Sequence, residues 1–311
     1  MKSAYSRINA LTERFSDLLH VREKLVKFDE RFEEIKINQG LILSALNERQ
    51  VSTKLQDYEF KVFSQWGEDG IIQRLTKIVQ IKNRTFIEFG VENFYEANCR
   101  FLLMKDNWSG FVIDGSAQNV KEMRNSYFYW KYSLNAIDAF ITRDNIDDLL
   151  AKSGFDGDLG ILSVDLDGND YYVLEAISNF RPRILICEYN AVFGATRKIS
   201  VPYDPSFIRA NKHSSNLYWG ASLAAVTFLA EKNGYELVGT NSVGSNAFYV
   251  RNDLLTEKVE VLSVGDAYAP STFRESRDGE GNLTFVDGAD RLEAIKGMPV
   301  FNVETGVAET L

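Results

Sequence analysis

Thr85-Phe-Ile-Glu-Phe-Gly90 and Gly110-Phe-Val-Ile-Asp114 are two short apolar runs, each with an acid at or near its C-terminal end and room between them for one helix. That combination constrains the chain more than anything else in it. Continuous apolar runs of this length are the mark of strands buried on both faces, and such strands are joined by crossover helices into a parallel sheet. In open α/β sheets, ligands gather at the C-terminal ends of the strands. A carboxylate closing the second strand can accept from two neighbouring hydroxyls at once, which suits a ribose. The expectation is an adenosine-containing cofactor.

Composition narrows the class. The 311 residues are 45% hydrophobic, enough to fill a core for one large domain with appendages. The net charge of −9 argues against sequence-independent nucleic-acid binding, which draws its affinity from basic surface. Cys99 and Cys187 both fall in apolar segments and read as reduced core thiols in preference to a disulfide. No signal-type apolar run opens the sequence, and no stretch of about 18 apolar residues is present to cross a bilayer, so the expected location is the cytoplasm.

Residues 1–56 read as one long helix. Apolar side chains recur at Ile8, Leu11, Phe15, Leu18, Val21, Leu25, Phe28, Phe32, Ile35, Ile42 and Leu46, in steps of three and four that suit a coiled-coil seam. Two successive three-residue steps around Leu18 resemble a stammer. Gln39 on the seam and Gly40 after it predict a looser second half. Three readings stand: self-association or docking on a partner enzyme, a helix lying along its own domain, and a membrane-surface helix, which lacks the basic face it would need. His20 belongs to this helix and is given no chemistry.

Residues 57–252 alternate between the two periodicities. Strands are expected at 84–90, 110–114, 131–135, 159–165, 183–189, 235–240 and 247–251, with helices at 68–79, 97–105, 118–125, 143–151, 171–177 and 221–233. Asn233-Gly234 is a sound helix stop. The 241–245 link is too short for a crossover, so the last two strands must pair antiparallel. Residues 253–311 are less regular. A loop at 276–282, a short strand at 283–286 and a helix at 291–295 are expected, as an extension packed on the main domain or on a neighbouring subunit.

This arrangement resembles the class I S-adenosylmethionine-dependent methyltransferases, and within them the FkbM-like branch. Leu162-Ser-Val-Asp-Leu-Asp-Gly-Asn-Asp170 is similar to that branch's fourth-strand signature, and Ile184-Leu-Ile-Cys-Glu-Tyr-Asn190 to its fifth strand. Phe63-Ser-Gln-Trp-Gly-Glu-Asp-Gly70 resembles a leader of bacterial members associated with surface-polysaccharide gene sets. The resemblance covers roughly residues 60–252. It implies a Rossmann-like, doubly wound seven-stranded sheet with an antiparallel last strand, here preceded by the long coiled-coil helix. One departure stands out. Where the family carries a run of glycines after the first strand, this chain has Gly90 alone, followed by Val91-Glu-Asn-Phe94. The backbone freedom that glycine supplies is reduced there. S-adenosylmethionine has no pyrophosphate, so the loss would be more damaging for NAD or FAD.

Residue roles follow. Glu88 is expected beside the cofactor's amino group, or else in an internal salt bridge. Asp114, with Gly115 and Ser116, is expected at the ribose, or else as a helix N-cap. Asn135 and Ala136, or the competing Asp138, are expected at the adenine edge. Asp165, Asp167 and Asp170 crowd the end of the fourth strand, with Glu188 and Asn190 on the next. They could hold a divalent cation such as Mg²⁺, Mn²⁺ or Ca²⁺, supply a general base with a raised pKa, or cap the following helix. Of these, Asp165 is best placed to face the reaction. His213 is a candidate base or an ordinary loop histidine, and Tyr203, Tyr218 and Trp219 could stack on a sugar or anchor the loop. The function implied is methyl transfer from S-adenosylmethionine to an oxygen of a sugar, glycan or related hydroxyl compound. The alternatives are a non-catalytic assembly protein with a degenerate methyltransferase domain, and a nucleotide-sugar enzyme.

Overall fold

The computed structural model describes residues 2–311, and the side chains of all of them except residues 2–19, 22, 23 and 26. A seven-stranded sheet forms its centre: β1 (Thr85–Phe89), β2 (Ser109–Asp114), β3 (Leu134–Asp138), β4 (Ile161–Val164), β5 (Ile184–Glu188), and, after the two-residue β6 (Ile199–Ser200), β7 (Tyr235–Thr240) and β8 (Asn246–Arg251). The order across the sheet is β3-β2-β1-β4-β5-β8-β7. The first five strands run parallel, and β8 inserts antiparallel between β5 and β7. This is a Rossmann-like, doubly wound sheet with an antiparallel last pair, and its order reverses between β1 and β4.

Burial on both faces explains why the strands read as unbroken apolar runs. Along β1, Ile87 and Phe89 point into one core while Phe86 points into the other. β5 repeats the pattern, with Leu185 and Cys187 on the first side and Ile184 and Ile186 on the second. Cys99 and Cys187 are buried and unpaired. Helices α2 (Glu68–Ile78), α3 (Arg100–Asp106), α4 (Ala117–Asn125), α5 (Tyr127–Lys131), α6 (Ile146–Ala151), α7 (Asp170–Ala176), α8 (Arg209–Lys212) and α9 (Leu223–Lys232) connect the strands, numbered after α1 (Lys2–Asn47). Gly234 closes α9 at φ 82°, a left-handed stop.

The leader at 63–70 turns out to be a structural clasp. The Asp69 carboxylate, buried to about 1% exposure, accepts from the backbone N–H groups of Val62, Phe63 and Ser64. Glu68 accepts from the side-chain amides of Asn241 and Asn246, tying the start of α2 to the β7–β8 hairpin. A side chain at Gly70 would lie 1.9 Å from the Tyr58 carbonyl oxygen, so only glycine fits.

Three expectations need correction. The first helix stops at Asn47, with a 3-10 turn at Leu55–Tyr58, so residues 1–56 are not one helix. Third-strand pairing begins at Leu134, because Tyr127–Lys131 forms α5 and uses up the residues that would have started it. The segment 283–286 makes one isolated bridge, Arg277 with Leu283, and no strand. Short helices α10 (Val264–Ala267) and α11 (Ala289–Glu293) lead instead to β9 (Pro299–Asn302) and β10 (Val307–Thr310). These two strands build a small sheet with β6, so the last zone packs on the main domain.

Helix α1 has two faces. Glu33 makes a two-pronged ion pair with buried Arg100 at 2.8 Å, and Tyr127 donates to the same carboxylate. A Cβ at Gly40 would lie 2.6 Å from Phe101 and Val62, so this glycine marks close approach to the domain and not a loose seam. The seam residues Val21, Leu25, Phe28, Phe32, Ile35, Ile42 and Leu46 are all more than half exposed. The side chains of Ile8, Leu11, Phe15 and Leu18, and the stammer drawn from them, lie outside the described residues.

Candidate functional site

A cavity of about 540 Å³ opens at the C-terminal ends of β1, β2, β4 and β5. Parallel register explains why acids converge there. Phe89 stands opposite Ile113, which brings Gly90 beside Asp114, and Val164 stands opposite Cys187, which brings Asp165 beside Glu188.

On the β1–β2 side the carboxylates are met from within the chain. Glu88 is about 3% exposed and accepts from the backbone N–H of Asn98 at 2.7 Å and of Cys99 at 3.0 Å. Burial pushes its pKa up to about 7, with these two hydrogen bonds acting in the opposite direction. No salt bridge to Glu88 is present among the described residues. Asp114 Oδ1 accepts from Ser116 N at 2.8 Å and from Asn119 Nδ2 at 3.0 Å. Its Oδ2 has no partner among the described residues. Ser116 is itself the N-cap of α4, accepting from Asn119 N, so the cap that could have claimed Asp114 falls to its neighbour.

The loop after β1 is built without the usual glycines. Gly90 has φ 66°, and a Cβ there would lie 2.1 Å from the Asp165 carbonyl oxygen. That position is glycine for two independent reasons. Glu92 and Phe94 also adopt left-handed backbone, at φ 48° and 65°. Such strain costs about 1–2 kcal/mol per residue for a side chain other than glycine. At Phe94 the cost is offset by complete burial of the ring against Phe86 and Phe128.

On the β4–β5 side the carboxylates are met mainly by each other. One oxygen from each of Asp165, Asp167 and Glu188 lies within 4.8 Å of the others. Burial first, and neighbouring negative charge second, pushes Asp165 and Glu188 well above the ordinary carboxylate range. Protonated Glu188 can donate to the Asp165 carboxylate, while Glu188 Oε2 is buried without a partner among the described residues. This donor set fits a hard divalent cation through the open oxygens of the three acids, or a single proton held between Asp165 and Glu188. Asp167 is half exposed, at φ 53°, and bonded to Arg209 Nη1 at 2.6 Å. Asp170 organises the turn, accepting from Leu166 N at 2.7 Å and Gly168 N at 3.0 Å. Asn190 is committed to the carbonyls of Leu217 and Trp219.

Several expected residues do not reach the cavity. Asn135 and Ala136 sit inside β3, one exposed and the other in the core, because the strand runs three residues further than expected. Asp138 ends that strand, and Ala139, Phe140 and Ile141 beyond it line the cavity. His213 is turned back on its own loop, with Nδ1 accepting from Ser215 N and in hydrogen-bond contact with Ser215 Oγ, and it is absent from the lining. Arg209, four residues earlier, takes the place facing the cavity. Tyr218 donates to the Pro299 carbonyl, Trp219 carries the Arg209 guanidinium on its face, and Tyr203 packs between Tyr172 and Arg143. All three anchor the loop. The sequence reading also missed Trp66 and Phe273, which stack with ring centres 6.2 Å apart at the cavity wall. Trp66 stood inside a motif already singled out, and Phe273 carried no sequence signal.

No protein-family model and no curated protein matches the sequence. Solved structures resemble it at low identity. An O-methyltransferase family protein from Burkholderia thailandensis shares 10% identity over 59% of this chain and 58% of that one, with a TM-score of 0.35. An S-adenosylmethionine-dependent methyltransferase from Clostridium acetobutylicum shares 9% over 69% and 98%, at 0.39. An O-methyltransferase from Bacillus cereus in complex with S-adenosylhomocysteine shares 12% over 69% and 88%, at 0.36. At such values the likeness carries no chemistry, and the fold rests on this chain's own strand order.

Proposed function

We propose that this protein transfers a methyl group from S-adenosylmethionine to an acceptor oxygen. The observation that carries the reading is the pairing of Glu88 and Asp114 on adjacent parallel strand ends beside the left-handed turn at Gly90, at the point where the strand order reverses. Asp114 Oδ2, without a partner among the described residues, is the proposed acceptor for a ribose hydroxyl, and Glu88 is the proposed neighbour of the amino group of the methionine part. Asp165 and Glu188 border the acceptor side. One of them takes the acceptor's proton as its oxygen lone pair forms the new bond to the methyl carbon and the carbon–sulfur bond breaks. Asp165, Asp167 and Glu188 are the residues that would hold Mg²⁺ or Mn²⁺, which would lower the pKa of the acceptor hydroxyl. A hydroxyl of a sugar or glycan is the proposed acceptor, as in the FkbM-like branch, with surface-polysaccharide synthesis in the cytoplasm as the setting. Titration calorimetry tests the reading: S-adenosylhomocysteine should bind and NAD should not. Binding of a nucleotide sugar alone would favour a nucleotide-sugar enzyme, and binding of nothing would favour a non-catalytic assembly role.

We further propose that α1 pairs with α1 of a second copy. Its own domain covers the Glu33–Gly40 side and leaves the seam from Val21 to Ile35 open. Light scattering should give a dimer for the full chain and a monomer for a chain lacking residues 1–28. A monomeric full chain rejects self-pairing and leaves a partner enzyme with a matching helix.

A further inference from the structure

The cavity is far more acidic than the chain that builds it. Eight acidic side chains line it against one basic side chain among the described residues, Arg209, whereas the whole sequence has 44 acids to 35 lysines and arginines. Three of the eight are ion-paired: Asp167 with Arg209, Glu96 with Lys61 and Glu275 with Arg277. The other five, Glu88, Glu92, Asp114, Asp165 and Glu188, make no ion pair among the described residues. S-adenosylmethionine brings a single net positive charge, too little to match them. A cleft lined by one sign of charge focuses its field, so this one draws in cations and turns away anions.

The unfilled hydrogen-bonding capacity has the same sense. Two buried side-chain atoms of the lining residues lack a partner among the described residues, and both are oxygens: Glu188 Oε2 and Asn169 Oδ1. Asn169 is about 4% exposed, and its Nδ2 donates to the Asp204 carbonyl at 2.8 Å. A carbonyl can only accept, so the amide cannot be reversed and its oxygen is the end left for a donor. Leaving such an oxygen unfilled is costly, and a ligand rich in N–H or O–H groups removes the cost.

The wall supplies the third feature. Trp66 lines the cavity and keeps 37% of its surface open. Phe273 stacks on it with ring centres 6.2 Å apart and planes inclined by 16°, and the Arg291 guanidinium lies 5.4 Å from the centre of the Phe273 ring. Glu68 Oε2 holds the Trp66 backbone N–H at 3.0 Å. An indole fixed in this way presents the negative face of its ring, and indole is the strongest of the aromatic side chains in attracting an ammonium group.

We infer that the acceptor carries a protonated amino group as well as the hydroxyl to be methylated, as an amino sugar does, with the amine seated on Trp66 and a second donor of the same molecule meeting Asn169 Oδ1. The protonated nitrogen has no lone pair, so it is the handle by which the acceptor is held and the hydroxyl remains the nucleophile. The inference rests on the methyltransferase reading for the word acceptor, while the preference for an amine stands on the cavity itself.

The test is calorimetry on the full chain with bound S-adenosylhomocysteine and excess chelator, titrated with glucosamine, N-acetylglucosamine, glucose and glucuronate at constant ionic strength. Glucosamine should bind about tenfold or more tighter than glucose or the neutral N-acetyl compound, with glucuronate the weakest of the four. In Trp66→Ala the affinity for glucosamine should fall by about fivefold or more, and Trp66→Phe should recover part of it. If Trp66→Ala does not fold, as judged by circular dichroism, a loss in the same direction is expected in Phe273→Ala, which leaves the indole unsupported. Equal affinity for glucosamine and glucose, no binding of glucosamine, or unchanged affinity in a folded variant overturns the inference. Selective glucosamine binding without S-adenosylhomocysteine binding would keep the amine site and reject the methyltransferase reading.

Discussion

At the ends of β1 and β2, Glu88 and Asp114 receive hydrogen bonds from backbone and side-chain donors placed for them by the turns that follow. At the ends of β4 and β5, Asp165 and Glu188 face each other, and Glu188 Oε2 is buried with no partner among the described residues. The same strand geometry produces both pairs. The difference is what the next few residues do: the first pair is locked by local turns, while the second is met mainly by its own neighbouring acids. A fixed half suits recognition of one unchanging molecule, and an unsatisfied half suits a group whose protonation or coordination must change during a reaction.

The largest test joins the halves. Gly90→Ala would force a Cβ against the Asp165 carbonyl in a left-handed residue, and a loss of about 3–5 kcal/mol of stability in urea denaturation is expected. A loss under about 1 kcal/mol would mean that the two halves are mechanically independent. Next, Asp114→Ala should weaken S-adenosylhomocysteine binding by about 1.5–3 kcal/mol in calorimetry without unfolding the protein. Unchanged affinity would remove the recognition role from this half.

The smallest effects concern sign. Glu188→Gln removes a buried carboxyl whose raised pKa costs stability above the ordinary carboxylate range, and should raise stability at pH 8 by about 1–2 kcal/mol, where a locked carboxylate would lower it. Glu88 has a folded pKa of about 7 against an ordinary 4.5. Between those values the folded state holds more protons than the unfolded one, so its contribution to stability is complete below about 4.5 and is lost as pH rises through about 7. Thermal melts of Glu88→Gln should therefore fall less steeply over that window than those of the parent protein. Identical slopes would show that Glu88 is not the group responsible.

Much of the β1–β2 half was legible in the sequence, because apolar runs ending in acids encode both strand and ligand end in the same few residues. Asp165 and Glu188 were legible for the same reason. The early start expected for the third strand, which set Asn135 and Ala136 at its end, arose where Tyr127–Lys131 is rich in aromatic residues yet makes a turn of helix, which delays the strand. His213 misled because its loop position said nothing about which side chain would face inward, a choice settled by Arg209 stacking on Trp219. In α1 the three–four spacing identified the exposed seam but could not reveal that the domain would claim a different face through Glu33 and Gly40.

Phe94 offers a last consequence. Where a glycine would let the segment after β1 swing among many shapes, an aromatic ring set in the core turns that segment into a cast of one shape. A guest entering it has little left to organise. Its arrival should be a single kinetic phase with no slow tightening, and exchange of the Glu92–Ala97 amides with deuterated solvent should be nearly as slow before the guest arrives as after.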